Sequence, residues 1–185
     1  MIGNEMKKIE TGFEDLYIIE GNIFEDTRGL FLKTFHQSTF ADLRLETNYK
    51  EKYYSKSHKN VIRGMHFQIP PHDHVKIVNV LHGAIIDVVV DLRKASPTYK
   101  QWFSIKLNDS DGRFLYIPKG FAHGFKASTD NTIVEYNQTS EYNKECDCGI
   151  RWDSFGFDWE VENPIISNRD NLFSSLDDYL SPFRR

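Results

Sequence analysis

Two short runs hold the side chains best suited to chemistry: Arg63-Gly64-Met65-His66-Phe67-Gln68, and Pro118-Lys119-Gly120-Phe121-Ala122-His123-Gly124-Phe125. The first sets a guanidinium and an imidazole on either side of a glycine, among β-branched and aromatic residues. The second sets another imidazole just past a Pro-x-Gly turn. An imidazole, with an ordinary pKa of about 6.5, takes and gives protons near neutrality. A guanidinium suits phosphates, because its planar fork donates two parallel hydrogen bonds. Together these groups point to a ligand pocket built from β-strands. Arg63 and His66 are three apart, so strict alternation would put them on opposite faces of a strand. Either Gly64 marks a bulge that brings them together, or Arg63 reaches the ligand around the rim.

The elements that must carry these residues are mostly extended. Residues 17–19, 30–35, 53–54, 61–68, 76–81, 84–92, 102–107, 114–117 and 132–138 are short, β-branched or aromatic runs bounded by Gly, Pro, Asn or Asp. His82-Gly83 and Asp109-Ser110-Asp111-Gly112 read as turns between them. Helical periodicity is weak and confined to 38–45 and 172–180. The pattern predicts an all-β barrel or sandwich with short peripheral helices. With 185 residues, 39% hydrophobic and 14% aromatic, the chain has material for one core. A single domain over 1–185 is expected, without repeat or linker.

A net charge of −4 argues against nucleic-acid binding, which needs a concentrated basic face. The first eight residues lack the apolar core of a signal peptide, and no apolar run is long enough to span a bilayer. A cytoplasmic location away from membranes is expected. Cys146 and Cys148 are too close in sequence for an easy disulfide and too few for a structural zinc site.

Gly112 to His123 fits the pattern G-x5-P-x-G-x2-H, which resembles the second motif of the cupin superfamily. The first cupin motif wants His-x-His and then a glutamate, so that imidazoles and a carboxylate surround a divalent metal. His72-Asp73-His74 supplies the histidines, but residues 75–78 contain no carboxylate. A cupin barrel without metal is the expectation. A three-histidine metal site of His72, His74 and His123 is the alternative, should they converge.

A longer set of motifs is more specific: Asp26-x-Arg28-Gly29, Asn60-Val61-Ile62-Arg63-Gly64-Met65-His66-Phe67-Gln68, Lys76-Ile77-Val78, Asp87-Val88-Val89-Val90-Asp91-Leu92-Arg93-Lys94, Ser96-Pro97-Thr98, Ile117-Pro118-x-Gly120-Phe121-Ala122-His123-Gly124-Phe125 and Ser167-x-x-Asp170. In this order they resemble the dTDP-4-dehydrorhamnose 3,5-epimerase family over a core of about 17–170. The resemblance implies a cupin-like β-barrel or jelly roll, a homodimer that exchanges a segment, and an epimerase with no metal or redox cofactor. Its substrate would be a nucleoside-diphosphate sugar, and its product would feed deoxysugar and surface-polysaccharide synthesis.

The residue types fit that chemistry. In a 4-keto sugar the hydrogens on C3 and C5 flank a carbonyl, so removing one gives an enolate that is inverted by protonation from the other face. The resemblance makes His66 the base, Asp170 its orienting partner, Tyr136 the returning proton donor and Lys76 the cation near the ketone. It makes Arg28, Phe31, Arg63, His123 and Arg169 substrate contacts; the family passes the Arg28 segment into the neighbour's pocket, and the sequence leaves open which subunit supplies it. Residue by residue, plainer roles are open: Asp170 could cap a short C-terminal helix, and His123 could bond to backbone. The chain departs from the family around the nucleotide base. It has Leu30-Phe31-Leu32-Lys33 where the family carries Phe-Phe-x-Glu, and Glu51-Lys52-Tyr53 where it carries Gln-x-Asn. These departures leave open a CDP or other carrier, and inversion at one centre instead of two. A non-catalytic sugar-nucleotide-binding barrel and a 3,4-ketoisomerase are the remaining readings.

Overall fold

The computed structural model describes residues 6–184. Thirteen strands and two short helices follow in the order β1 (Lys7–Glu10), β2 (Tyr17–Glu20), β3 (Ile23–Asp26), β4 (Gly29–Leu32), α1 (Gln37–Asp42), β5 (Glu51–Ser57), β6 (Ile62–Gln68), β7 (Lys76–His82), β8 (Ala84–Asp91), β9 (Trp102–Asn108), β10 (Arg113–Ile117), β11 (Phe121–Ala127), β12 (Thr132–Gln138), β13 (Asp147–Gly149) and α2 (Asn168–Asn171). One sheet has the order β1-β2-β10-β7-β12-β5, the other β13-β6-β11-β8-β9, and β3 and β4 form a separate hairpin. Every strand pairing is antiparallel. Two facing antiparallel sheets joined by crossovers make a cupin-like jelly roll, all-β as the residue patterns predicted and cupin-like as the resemblance implied.

Apolar side chains from both sheets, including Val78, Val80, Ile85, Val89, Phe125 and Val134, fill one end of the barrel. A second cluster, which includes Leu176 and Phe183, covers the outer face of the five-stranded sheet. A third packs Phe40 of α1 and Met6 behind the six-stranded sheet. Packing thus extends beyond 17–170 at both ends. Strand β12 shows the alternation of a half-buried strand, with Thr132, Val134, Tyr136 and Gln138 turned inward.

Three short strands escaped the sequence reading, namely β1, β3 and β13, because each is mostly polar or exposed. So did β11, for the opposite reason. It lies between β6 and β8 and is buried along its whole length, so it shows no alternation. The helix expected over 172–180 is absent. That stretch forms turns, and Leu172 and Leu180, which should have marked its apolar face, are 85% and 87% exposed. The helix lies just before it, as α2.

The question of Arg63 and His66 is answered by a bulge. His66 pairs with His123, but Arg63 pairs with Phe125, so β6 spends three residues where β11 spends two. Gly64, at φ +137°, takes up the extra residue. Its neighbour is another glycine: a Cβ on Gly64 would lie 2.5 Å from the Gly124 Cα. Gly64→Ala is therefore expected to cost about 1–3 kcal/mol from overpacking, with backbone strain added. Thermal or urea unfolding of the purified variant measures this, and an unchanged midpoint would contradict it.

Candidate active site

A cavity of about 340 Å³ opens between the two sheets, within the range of ligand pockets. Seven of the nine candidate catalytic and substrate-binding residues relate to it. Arg63, His66, Lys76, His123, Tyr136 and Arg169 line it, while Asp170 stands directly behind His66. The bulge is what lets Arg63 and His66 share this face. His66 and His123 come from the five-stranded sheet and Lys76 and Tyr136 from the six-stranded one, so the two walls face each other across the cavity.

His66 Nε2 lies 2.7 Å from Asp170 Oδ1. The other carboxylate oxygen accepts the Gly64 amide at 3.1 Å. Burial alone would raise the Asp170 pKa, but the hydrogen bonds from His66 and Gly64 outweigh it and hold the carboxyl below its usual range. An ionised Asp170 accepts from Nε2–H, which leaves the lone pair of His66 on Nδ1. Asp170 does not cap α2. Ser167 does that, accepting from the Asp170 amide at 3.1 Å. The edge of Phe173 packs against the His66 ring at 5.9 Å.

On the opposite wall, burial pushes the Tyr136 phenol above its ordinary range, so it is a protonated donor at neutral pH. Its hydroxyl lies 3.3 Å from Ser55 Oγ. The fully buried Lys76 is pulled down to about 8, chiefly by desolvation and against the opposing pull of Asp87. His123 Nε2 lies 2.6 Å from Asp87 Oδ1, so its partner is a side chain and not backbone. Burial lowers the His123 pKa in spite of that carboxylate.

Arg63 donates to Ser57 Oγ at 3.0 Å and to the Lys56 carbonyl at 3.2 Å. Arg169 bonds Asp147 at 2.7 Å and lies over the Phe173 ring. Arg28 and Phe31 are elsewhere, on the β3–β4 hairpin. The Arg28 side chain is 88% exposed and pairs with Asp26, and Phe31 is 52% exposed. Neither lines this chain's own cavity.

The three candidate metal histidines do not converge. Among the described residues no group of three or more His, Cys, Asp or Glu is placed to hold a metal ion. His72 Nε2 faces Asn143, His123 faces Asp87, and His74 Nδ1 sits within 3.3 Å of Gln68 and Ser140. Burial and the Lys76 charge push His74 down to about 3, so it is neutral.

Sequence reasoning passed over Asp87 as a site residue. The available signal was a carboxylate inside the run Ile85-Ile86-Asp87-Val88-Val89-Val90, since a charge buried among β-branched residues must find a partner. It also passed over Gln138 and Ser55, which nothing but the alternation of β12 and β5 could have turned inward.

A jelly-roll barrel holding an imidazole–carboxylate pair, a buried ammonium and a phenol around one cavity defines a cupin-like isomerase, built to move protons at carbon. Comparison with known proteins gives the particular family. The dTDP-4-dehydrorhamnose 3,5-epimerase model matches residues 10–178. The chain is 41% identical over 177 residues to the dTDP-4-dehydrorhamnose 3,5-epimerase of Methanothermobacter thermautotrophicus, covering 93% of this chain and 95% of that one. The Bacillus anthracis enzyme of the same name, solved with TDP and PPi bound, superposes with a TM-score of 0.90 at 38% identity, covering 93% and 100% of the two chains. A Legionella pneumophila dTDP-6-deoxy-D-glucose-3,5-epimerase in complex with dTDP-4-keto-L-rhamnose superposes at 0.89, with 33% identity and 94% of each chain covered. The chain belongs to the dTDP-4-dehydrorhamnose 3,5-epimerase family.

Proposed function

We propose that this protein inverts C3 and C5 of a dTDP-linked 4-keto-6-deoxy sugar, with His66 as base, Tyr136 as acid and Lys76 beside the ketone. The observation that carries the reading is the 2.7 Å His66–Asp170 pair on one wall of a cavity whose opposite wall holds Tyr136 and Lys76. The C–H bond next to the ketone breaks, its proton goes to His66 Nδ1, and its electrons become the enolate, with negative charge on the C4 oxygen. The Lys76 ammonium offsets that charge and Asp170 stabilises the imidazolium. Tyr136 then delivers its hydroxyl proton to the opposite face, and solvent restores both groups. Arg63 and Arg169 take the diphosphate, for which Arg169 exchanges its hold on Asp147. His123, kept rigid by Asp87, borders the sugar.

The test is solvent deuterium uptake with dTDP-, CDP-, GDP- and UDP-linked 4-keto-6-deoxy sugars. Label at C3 and C5 of the dTDP sugar is expected, and no uptake with any carrier would overturn the reading. A faster reaction with the CDP sugar would instead trace to Glu51 and Tyr53, both of which line the cavity.

The enzyme works as a cytoplasmic homodimer that supplies deoxysugars for surface polysaccharide. The β3–β4 hairpin supports the dimer: it joins neither large sheet and presents Leu30, Phe31 and Arg28 outward. Each hairpin completes the partner's cavity. Arg28→Ala and His66→Ala, each inactive alone, should regain activity when refolded together, because a mixed dimer holds one intact site. Complementation that fails while mixed dimers form would place Arg28 in its own subunit's site.

A further inference from the structure

The Tyr136 phenol is mounted by its neighbours. Tyr53 stands directly opposite Tyr136 in the β5–β12 ladder, and the two rings stack with centroids 4.8 Å apart and planes 21° apart. The Tyr53 hydroxyl accepts a 2.7 Å hydrogen bond from Gln138 Nε2, two residues beyond Tyr136 on the same strand. The edge of His123 meets the Tyr136 ring at 6.2 Å. Strand β5 is the last of its sheet, and its Tyr53 and Ser55 flank the phenol from that side. A tyrosine swings by rotation about χ1, and a stacked ring that is itself held in place removes that freedom.

We infer that Tyr53 is a positioning residue for proton return, its stacked ring keeping the Tyr136 hydroxyl aimed at the sugar face opposite His66. The inference rests on the reading of Tyr136 as the acid. An enolate formed at His66 has two fates. It regains a proton from His66 on the original face, re-forming the same C–H bond, or it takes the Tyr136 proton on the other face and is inverted. In deuterium oxide, once the His66 imidazolium has exchanged with solvent, the first fate labels recovered substrate and the second labels the epimer. The initial ratio of label in uninverted to inverted sugar therefore reports where the acid stands.

Misplacing a catalytic group by about 1 Å can cost on the order of 10²-fold in rate. Tyr53→Ala should accordingly raise the ratio by about tenfold or more. Tyr53→Phe keeps the stacked ring and should leave the ratio close to the wild-type value. The ratio is internal to each sample, so a partly folded preparation does not alter it, whereas a merely structural role would depress both fates together. Should Tyr53→Ala fail to fold, Tyr53→Leu is read in the same way. A wild-type ratio in Tyr53→Ala, with a raised one in Tyr136→Phe, overturns the inference while leaving the acid in place. An equal rise in Tyr53→Phe and Tyr53→Ala overturns the stacking account. A ratio unmoved in Tyr136→Phe sinks the acid assignment and the role of Tyr53 with it.

Discussion

His66→Ala is expected to lower epimerisation by about 10²–10⁴-fold and to abolish solvent exchange at C3 and C5 together, since a positioned general base is worth that much. The proposed base has no substitute nearby. His123 is tied to Asp87 and buried, and His74 is neutral but set among Gln68 and Ser140 on another part of the wall. Asp170→Asn should follow at the lower end of the same range. It keeps the shape but removes the charge that stabilises an imidazolium, and a side-chain amide no longer enforces Nε2–H. It also alters the acceptor for the Gly64 amide, so circular dichroism and melting temperature must accompany the kinetics. Exchange in His66→Ala at more than a tenth of the wild-type rate would rule this imidazole out as the base.

Lys76→Met is expected to cost about 10²–10³-fold in kcat, the scale of removing one donor from an oxyanion in a desolvated site. The pH profile gives a sharper check. Burial brings Lys76 down to about 8, against an ordinary 10.5. Only the protonated ammonium offsets the enolate charge, so the Lys76 contribution to the rate should be full below pH 8 and fall as pH rises through about 8. Stability should move the opposite way. The unfolded chain keeps the Lys76 proton up to about 10.5, while the folded chain releases it near 8. Between those values the unfolded state binds more protons, and folding becomes more favourable as pH rises. Lys76→Arg keeps its charge throughout. Its activity will be lower, but the falling limb near pH 8 should vanish. A limb that persists unchanged in Lys76→Arg would assign it to another group.

Much of this site was legible along the chain because its parts are local. A glycine between Arg63 and His66 offered a bulge or a reach around the rim, and the fold takes the bulge, since only a residue without Cβ tolerates φ +137° against the Gly124 backbone. Residues 132–138 read as a strand, the resemblance marks Tyr136 as a site residue, and the alternation of β12 turns it inward. Helix 172–180 failed because only Leu176 of its leucines found a surface to cover, while Leu172 and Leu180 stayed exposed.

By itself the sequence determined the all-β class, through the two-residue period of a strand and its turn residues, while the resemblance of its motifs gave the cupin-like barrel, the family and the chemical groups. The tertiary structure decided which groups meet. His66 and Asp170 are 104 residues apart and come within 2.7 Å only because α2 packs against β6. Asp87 with His123, and Tyr53 with Tyr136, are likewise brought together by strand pairing across long stretches of chain. Such pairings follow from sheet order, which sets strands distant along the chain side by side and is a property of the whole folded chain. Arg28 and Phe31, read as site residues, sit on a separate, outward-facing hairpin and do not line the cavity of their own chain.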